Sequence, residues 1–328
     1  MPTFVAPLPT ERGEHGPARP FGASGEGISA LGLGAWAMGG GGWSASWGPQ
    51  DDSLSVATIE AGIDEGLTWV DTAAVYGLGH SEEVVGEALS GRRSEVFVAT
   101  KCTRRWRQDG SMFASGEPSS VRQECEDSLR RLRTDYLDLF QLHSPTDDVP
   151  VEETWGEMVR LREAGKTRFI GVSNFDVDLL RRCSEVGPVD SVQPVYNILH
   201  RAIEHELIPW CRTRNIAVLT YGPMAHGTLS GTFSLSRLAP DDWRRRDHPL
   251  LDLPAALRAV ELLRPLAEAR HWTIGQLATA WVVANPDITS TLVGARTPAQ
   301  IRASSEILRA GVDDTVRAEV DRALNVSS

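Results

Sequence analysis

The chain has 328 residues, 41% of them hydrophobic and 23% charged, with a formal net charge of −11 and a pI near 5.3. That balance suits a globular protein with a large core and argues against nucleic acid or an anionic membrane as partner. No run reaches transmembrane length, no charged-then-apolar leader opens the chain, and Cys102, Cys125, Cys183 and Cys211 lack metal-ligand spacing, so the expectation is reduced thiols in a cytoplasm.

Residues 1–19, rich in Pro, Gly and Glu, read as a disordered N-terminus, and 20–328 as one domain. Phe21 to Ile28 has the glycine content of a hairpin. Leu31 to Trp36 is the first core strand and runs into Gly39-Gly40-Gly41-Gly42. Helix Ser53 to Glu65 then precedes strand Leu67 to Val70, helix Glu82 to Leu89 precedes strand Val96 to Thr100, and helix Ser120 to Leu132 precedes strand Tyr136 to Leu142. The alternation continues with helix Glu152 to Ala164 and strand Arg168 to Val172, then helix Val177 to Glu185 and strand Asp190 to Gln193. Helix Glu204 to Arg214 leads to strand Ile216 to Thr220; helices Pro254 to Arg270 and Ile274 to Ala284 lead to the last strand, Ser290 to Val293. Helices near Pro298 to Leu308 and Val312 to Leu324 close the chain. Such alternation implies a parallel sheet, and eight repeats favour closure into a single (β/α)8 TIM barrel. The longest irregular stretch, Gly222 to Leu253, follows the seventh strand and is long enough to be functional.

Polar or aromatic residues stand at nearly every strand end: Trp36, Asp71, Lys101, His143, Ser173 with Asn174, Gln193, Tyr221, and Gly294 with Arg296. In a barrel these ends face one mouth, where barrel enzymes carry their active sites. Tyr76, in a Gly-bounded loop after Asp71, can aim into the same cavity. A tyrosine donates a proton readily only if its pKa of about 10 is brought towards neutrality, and Lys101 is the ammonium available to do so. A buried lysine needs a partner to stay charged, and Asp71 can be that partner. His143 can hydrogen-bond a substrate carbonyl. The set contains no electron source, so a cofactor must supply the reducing equivalent.

Asp71-Thr72-Ala73 with Tyr76-Gly77, Ser81-Glu82 with Val85-Gly86, Ala99-Thr100-Lys101, Asp135 to Leu139 ending in Leu142-His143, Gly171 to Phe175, Gln193-Pro194, and Tyr221-Gly222-Pro223 stand in order. Together they resemble the signature of the aldo-keto reductases over roughly Phe21 to Leu308, closest to the bacterial general branch that is also similar to potassium-channel β subunits. The resemblance implies a barrel that binds NADP(H) at its carboxyl mouth, with a catalytic tetrad of Asp71, Tyr76, Lys101 and His143 acting on a small carbonyl substrate. It implies that Ser173, Asn174 and Gln193 hold the nicotinamide carboxamide and that Tyr221 stacks on the ring. Gly222, Pro223, Met224, Gly227 and Leu229 would follow the pyrophosphate, and Gly294, Arg296, Gln300 and Ser304 would lie where the family grips the adenosine 2′-phosphate. Gly294-Ala295 and Ala303-Ser304 replace the Lys-Ser and Glu-Asn of many members, so the charge that selects NADPH rests on Arg296, helped by Arg244 to Arg246 if the long loop folds over the cofactor.

Several other signals have plainer readings. Gly32-x-Gly34-x-x-Ala37 leads into glycines and not a helix, so it reads as a mouth loop. Arg104-Arg105-Trp106-Arg107 reads as a solvated loop. His200 and His205 read as helix-surface residues, His80 as an exposed loop residue, and Cys102 as pointing from its strand into the helix layer. Trp36 and Trp106, with Trp43 or Trp47, either line an apolar substrate pocket or pack loops onto the barrel. Two other functions remain open: an NADP(H)-sensing regulatory subunit with little turnover, and a lyase that uses Lys101 as a Schiff-base amine, which a neighbouring Asp71 disfavours.

Overall fold

In the computed structural model, which describes residues 18–246 and 252–325, the eight apolar runs become strands of a closed barrel. They are Leu31–Gly34, Trp69–Asp71, Phe97–Cys102, Leu137–Leu142, Thr167–Ser173, Ser191–Gln193, Ala217–Tyr221 and Ser290–Gly294. Each pairs in parallel with its neighbour in chain order, and the first closes on the last through Leu31↔Thr291 to Gly34↔Gly294. Parallel strands in this position are buried on both faces, which is why they read as continuous apolar runs rather than alternating ones.

Their alternation appears only in where the side chains go. Trp69, Phe97, Ala99, Leu139, Leu219 and Leu292 face inward with Phe21 and Ile28 in one cluster. Their neighbours Val70, Val98, Phe140, Leu142, Val218 and Val293 face outward into the core shared with the helices. Cys102 falls in this outer core beside Cys125, as its strand position requires.

The N-terminal hairpin pairs Arg19–Pro20 with Gly27–Ile28 and closes the bottom of the barrel. Phe21 inserts there, with ring centroids 5.1 Å from Phe97 and 5.0 Å from Phe169. Arg19 donates at 2.7 Å to the carbonyls of Ile288 and Val283. Residues 1–17 of the expected disordered stretch lie outside the described residues, as do 247–251 of the long loop.

The helices fall close to expectation, and their starts show why: Asp51 caps Asp52–Asp64, Asp176 caps Val177–Val186, and Thr273 with Gln276 forms a capping box at Ile274–Val283. Expected helix Glu204 to Arg214 shortens to Leu207–Arg212. The arginine-rich stretch after Lys101 is not a loop but a second hairpin, Arg104–Trp106 with Met112–Ala114. Phe113 organises it, with the Arg105 and Arg107 guanidinium carbons 5.8 and 4.6 Å from its ring centroid.

Candidate active site

Two residues beyond the inner cluster, the same inward period places Asp71 after Trp69, Lys101 after Ala99, and Gln141 and then His143 after Leu139. Lys101 and Gln141 are direct neighbours in the ladder. Lys101 Nζ donates to Asp71 Oδ1 and, at 2.9 Å, to the Thr72 carbonyl, and it lies 3.5 Å from the Tyr76 hydroxyl. The second Asp71 oxygen accepts from Gln193 Nε2 at 2.9 Å and Gln141 Nε2 at 3.3 Å. His143 stands edge-on to the Tyr76 ring, centroids 5.6 Å apart. The structure thus brings the four expected residues together.

The loop carrying Tyr76 is pinned by backbone packing. Gly77 sits at φ +62° against Gly39, and a Cβ on either residue would meet the other's backbone at under 3.0 Å. Ser81 Oγ donates to the Ala35 carbonyl at 2.8 Å, which ties the following helix to the first strand end. Glu82, fully buried, accepts from Thr100 Oγ1 at 2.5 Å and Arg131 Nε at 2.6 Å, bracing the strand that holds Lys101. His80 opens that helix instead of lying in a loop, and pairs with Asp52 at 2.8 Å.

Electrostatics correct one expectation. Burial, and then the charge of Asp71, push the Tyr76 phenol well above its usual 10, not towards neutrality. Burial in the apolar mouth is the larger cause, and the Asp71 carboxylate adds to it. Burial lowers the Lys101 pKa, opposed by the charge and hydrogen bond of Asp71. His143 is held well below 6.5 by burial, then by Lys101 and Arg104, so its imidazole is neutral. Its Nδ1 is buried with no hydrogen-bond partner among the described residues.

On the opposite wall Ser173, Asn174, Gln193 and Tyr221 form a connected set. Ser173 Oγ donates to the Gln193 carbonyl at 2.8 Å. Asn174 takes a left-handed φ of +61° and donates to the His143 carbonyl at 3.0 Å, while accepting from the Tyr221 hydroxyl at 2.9 Å. Burial, and then the nearby Tyr76, push the Tyr221 phenol up to about 12.

Two loops meet over the tetrad. Trp36 stacks on Tyr76 with centroids 5.9 Å apart and on Trp243 at 5.3 Å. Trp47 and His226 pack edge-on against Trp36 at 5.4 and 6.0 Å, and Trp43 lies 6.4 Å from Tyr76. The Trp243 backbone N–H donates to the Ser46 carbonyl at 2.9 Å, and Asp241 accepts from Ser46 Oγ at 3.1 Å. Arg244 holds Asp242, donates to the His226 carbonyl at 3.1 Å and lies 4.1 Å above the Trp47 ring. Ala225, His226 and Gly227 all have positive φ, a tightly wound path beside Gly222 at φ +70° and Pro223. Leu229 is buried in the outer core, and the Met224 thioether packs against Gly275.

Arg296 is already engaged through its side chain. It donates to Gln50 Oε1 at 2.8 Å, to the Trp47 carbonyl at 3.3 Å and to the Pro49 carbonyl. Its N–H is taken by Gln300 Oε1 at 2.8 Å, Gly294 has open space where a Cβ would be, and Ser304 is half-buried on the next helix. Trp106 packs beside Arg131, whose guanidinium carbon is 5.8 Å from its ring, and not with the mouth tryptophans. Gln141, Trp243 and His226 were missed by sequence reasoning. Gln141 had a usable signal, two residues before His143 on the same strand face; the other two are set by loop packing. Among the described residues no group of His, Cys, Asp and Glu side chains could hold a metal, and no helix is long and apolar enough to cross a membrane.

A model of the aldo/keto reductase family matches residues 30–325. The aldo-keto reductase YhdN of Bacillus subtilis is 38% identical over 267 residues, 80% of each chain. An NADH-specific methylglyoxal reductase of Escherichia coli is 35% identical over 90% of this chain and 94% of its own. Among solved structures, a glycerol dehydrogenase from Gluconobacter oxydans superposes with a TM-score of 0.81 at 36% identity over 94% of both chains. An aldo/keto reductase from Klebsiella pneumoniae in complex with NADP and acetate gives 0.72 at 28%, covering 95% of this chain and 96% of that one.

Proposed function

The chain belongs to the aldo/keto reductase family, oxidoreductases of carbonyl and CH–OH groups, and from that premise we propose that it reduces a small aldehyde or ketone with NADP(H) through Tyr76. The observation that carries this reading is the buried Asp71–Lys101 pair directly behind a neutral Tyr76 hydroxyl, with a neutral imidazole beside it.

The residues present fit the cofactor. Asn174 and Tyr221 present an amide and a ring at the mouth, and Ser173 and Gln193 add a hydroxyl and a second amide. At the other end Arg244 and Arg296 stand close enough for Arg244 to depress the Arg296 pKa further, after burial has lowered it. Two guanidinium groups at that range, Arg244 paired with Asp242 and Arg296 with no carboxylate in ion-pair distance among the described residues, suit phosphate. Ser173, Asn174 and Gln193 would hold the carboxamide, Tyr221 the ring, and Gly222 to Leu229 with Arg244 and Arg296 the phosphates.

When bound, the reduced nicotinamide supplies the hydride. The chain does the rest. His143, neutral and fixed through Asn174 at its carbonyl, orients the substrate oxygen. Tyr76 gives that oxygen its proton as the carbonyl π pair moves onto it. A phenol pushed above 10 is still far more acidic than the alcohol being formed, so the high pKa suits a proton donor and keeps the group loaded at neutral pH. Lys101, 3.5 Å away, stabilises the phenolate left behind until solvent reprotonates it. Asp71, saturated by three donors, holds the ammonium in place.

The test is Tyr76→Phe, assayed by NADPH oxidation across a panel of aldehydes and ketones. Turnover should fall by about 10²–10⁴-fold, the usual range for a positioned proton donor, while quenching of tryptophan fluorescence by NADPH persists. Undiminished turnover would remove Tyr76 from the reaction.

A further inference from the structure

Lys101 and His143 lie on neighbouring strands, and the chain leaving the Lys101 strand turns sharply at Thr103, a buried β-branched residue held at φ +73°. Left-handed backbone is costly for such a residue and persists only where the surroundings impose it. Here they do. The Thr103 N–H donates to Glu124 Oε2 at 3.1 Å, its hydroxyl to the Ser144 carbonyl at 3.3 Å, and its carbonyl accepts from Ser115 at 3.0 Å. The kink swings the next residue, Arg104, back over the end of the His143 strand, where Arg104 Nε donates to Ser144 Oγ at 2.9 Å.

The three arginines of this hairpin differ in what they face. Arg105 reaches Ser120 Oγ at 3.1 Å and, through it, the carboxylate of Glu124. Arg107 bonds Ser111 and covers Phe113. Arg104 is exposed and fastened by Nε alone, leaving both terminal nitrogens for other acceptors. Among the described residues no carboxylate lies within ion-pair distance of it, whereas Arg131, which packs on Trp106 of the same hairpin, is paired with Glu82. Its charge is felt by His143, whose pKa it helps to lower. In a chain of net charge −11, an unpaired guanidinium fixed one residue from the substrate-orienting imidazole is an unusual placement.

We propose that Arg104 is a specificity-determining residue that recognises an anionic group, carboxylate or phosphate, on the carbonyl substrate. The proposal rests on the reductase reading above and names the substrate class for that site. A guanidinium held by one nitrogen retains the paired N–H edge that matches a carboxylate or a phosphate. The Ser144 tether fixes the distance between that edge and His143, so anion and carbonyl are gripped from adjacent positions.

The experiment compares matched pairs on the full-length protein with NADPH: 4-oxobutanoate against butanal, and glyceraldehyde 3-phosphate against glyceraldehyde. Wild type should favour the anionic member of at least one pair in kcat/KM, and which pair responds distinguishes carboxylate from phosphate. In Arg104→Gln the anionic-to-neutral ratio should fall by about tenfold or more, the scale of one charge-assisted contact, chiefly through KM. A ratio unchanged by the substitution, or no anionic preference in wild type while the neutral aldehydes turn over, overturns the Arg104 proposal alone. If NADPH binds and no carbonyl in either pair is reduced, the reductase reading fails and takes this proposal with it.

Discussion

The floor and the cover of the mouth are built by different means. The floor is strand-borne: Asp71, Lys101, Gln141 and His143 follow one inward period, and ladder register sets their heights. The cover is loop-borne: Trp36, Trp47, Trp243 and His226 meet through contacts between segments about 200 to 250 residues apart, such as Trp243 to Ser46 and Arg296 to Trp47. A floor built this way resists displacement, because moving one side chain means moving a strand. A cover built this way can part without touching the barrel. The groups that brace the chemistry therefore belong to the floor, with Tyr76 brought to them by a loop pinned against Gly39, and admission and retention of ligands belong to the cover.

The sharpest way to break that division is Lys101→Met. It should reduce turnover by about 10²–10⁴-fold and also lower stability, since stripping one partner from a buried pair costs about 3–5 kcal/mol; kcat and thermal melting together check both. A cover substitution that cost as much in kcat would end the distinction. Next in size, Arg296→Ala should weaken NADPH binding by about tenfold while changing NADH by less than about threefold, as expected for one guanidinium–phosphate contact. Equal losses for both nucleotides in a fluorescence titration would make Arg296 a clasp for residues 47–50 and nothing more. Smaller still, Asp241→Ala should speed nucleotide release several-fold and leave kcat for a slow substrate within about twofold, since it loosens only the ties to Ser46 and Gly42; stopped-flow release rates decide it.

The gentlest test uses pH. His143 titrates well below 6.5 and Tyr76 well above 10, so neither should bend the kcat profile for reduction between about pH 7 and 9. Stability should behave differently. Burial raises Glu124 to about 7, so between its ordinary range near 4.5 and 7 the folded chain holds a proton that the unfolded chain has released. That contribution is full at low pH and is lost as pH rises through 7. Glu124→Gln should therefore flatten the fall in melting temperature between about pH 5 and 8; an unchanged slope would show that Glu124 does not titrate there.

The same division explains what was legible in the sequence. The eight strands and the tetrad could be read because apolar runs and strand-end polar residues are local signals, and the inward period that seats Asp71 also seats Lys101. The Tyr76 pKa could not be read, because its direction is set first by how completely the folded mouth buries the phenol and then by the Asp71 charge, not by the proximity of Lys101. Arg296 was legible as a mouth residue but not as a clasp, since its acceptors lie some 250 residues earlier. The Arg104–Ala114 hairpin was hidden by its charge: three arginines in a row of four look solvated until Phe113 is seen to lie under two of them.

The seam between Leu31–Gly34 and Ser290–Gly294 has a consequence for how the protein is made. The first barrel strand waits for the last before its second ladder can form, and the Arg19 clasp on Val283 and Ile288 waits as well. Until about nine-tenths of the chain has been synthesised, the nascent sheet carries two open edges of Val, Leu and Gly, the kind of surface that other unfinished chains can extend. Closing a ring of this sequence separation is slow compared with local helix formation. The barrel is therefore most vulnerable to aggregation just before Ser290–Gly294 is made, and a destabilised seam would be expected to lower yield before it altered any property of the finished enzyme.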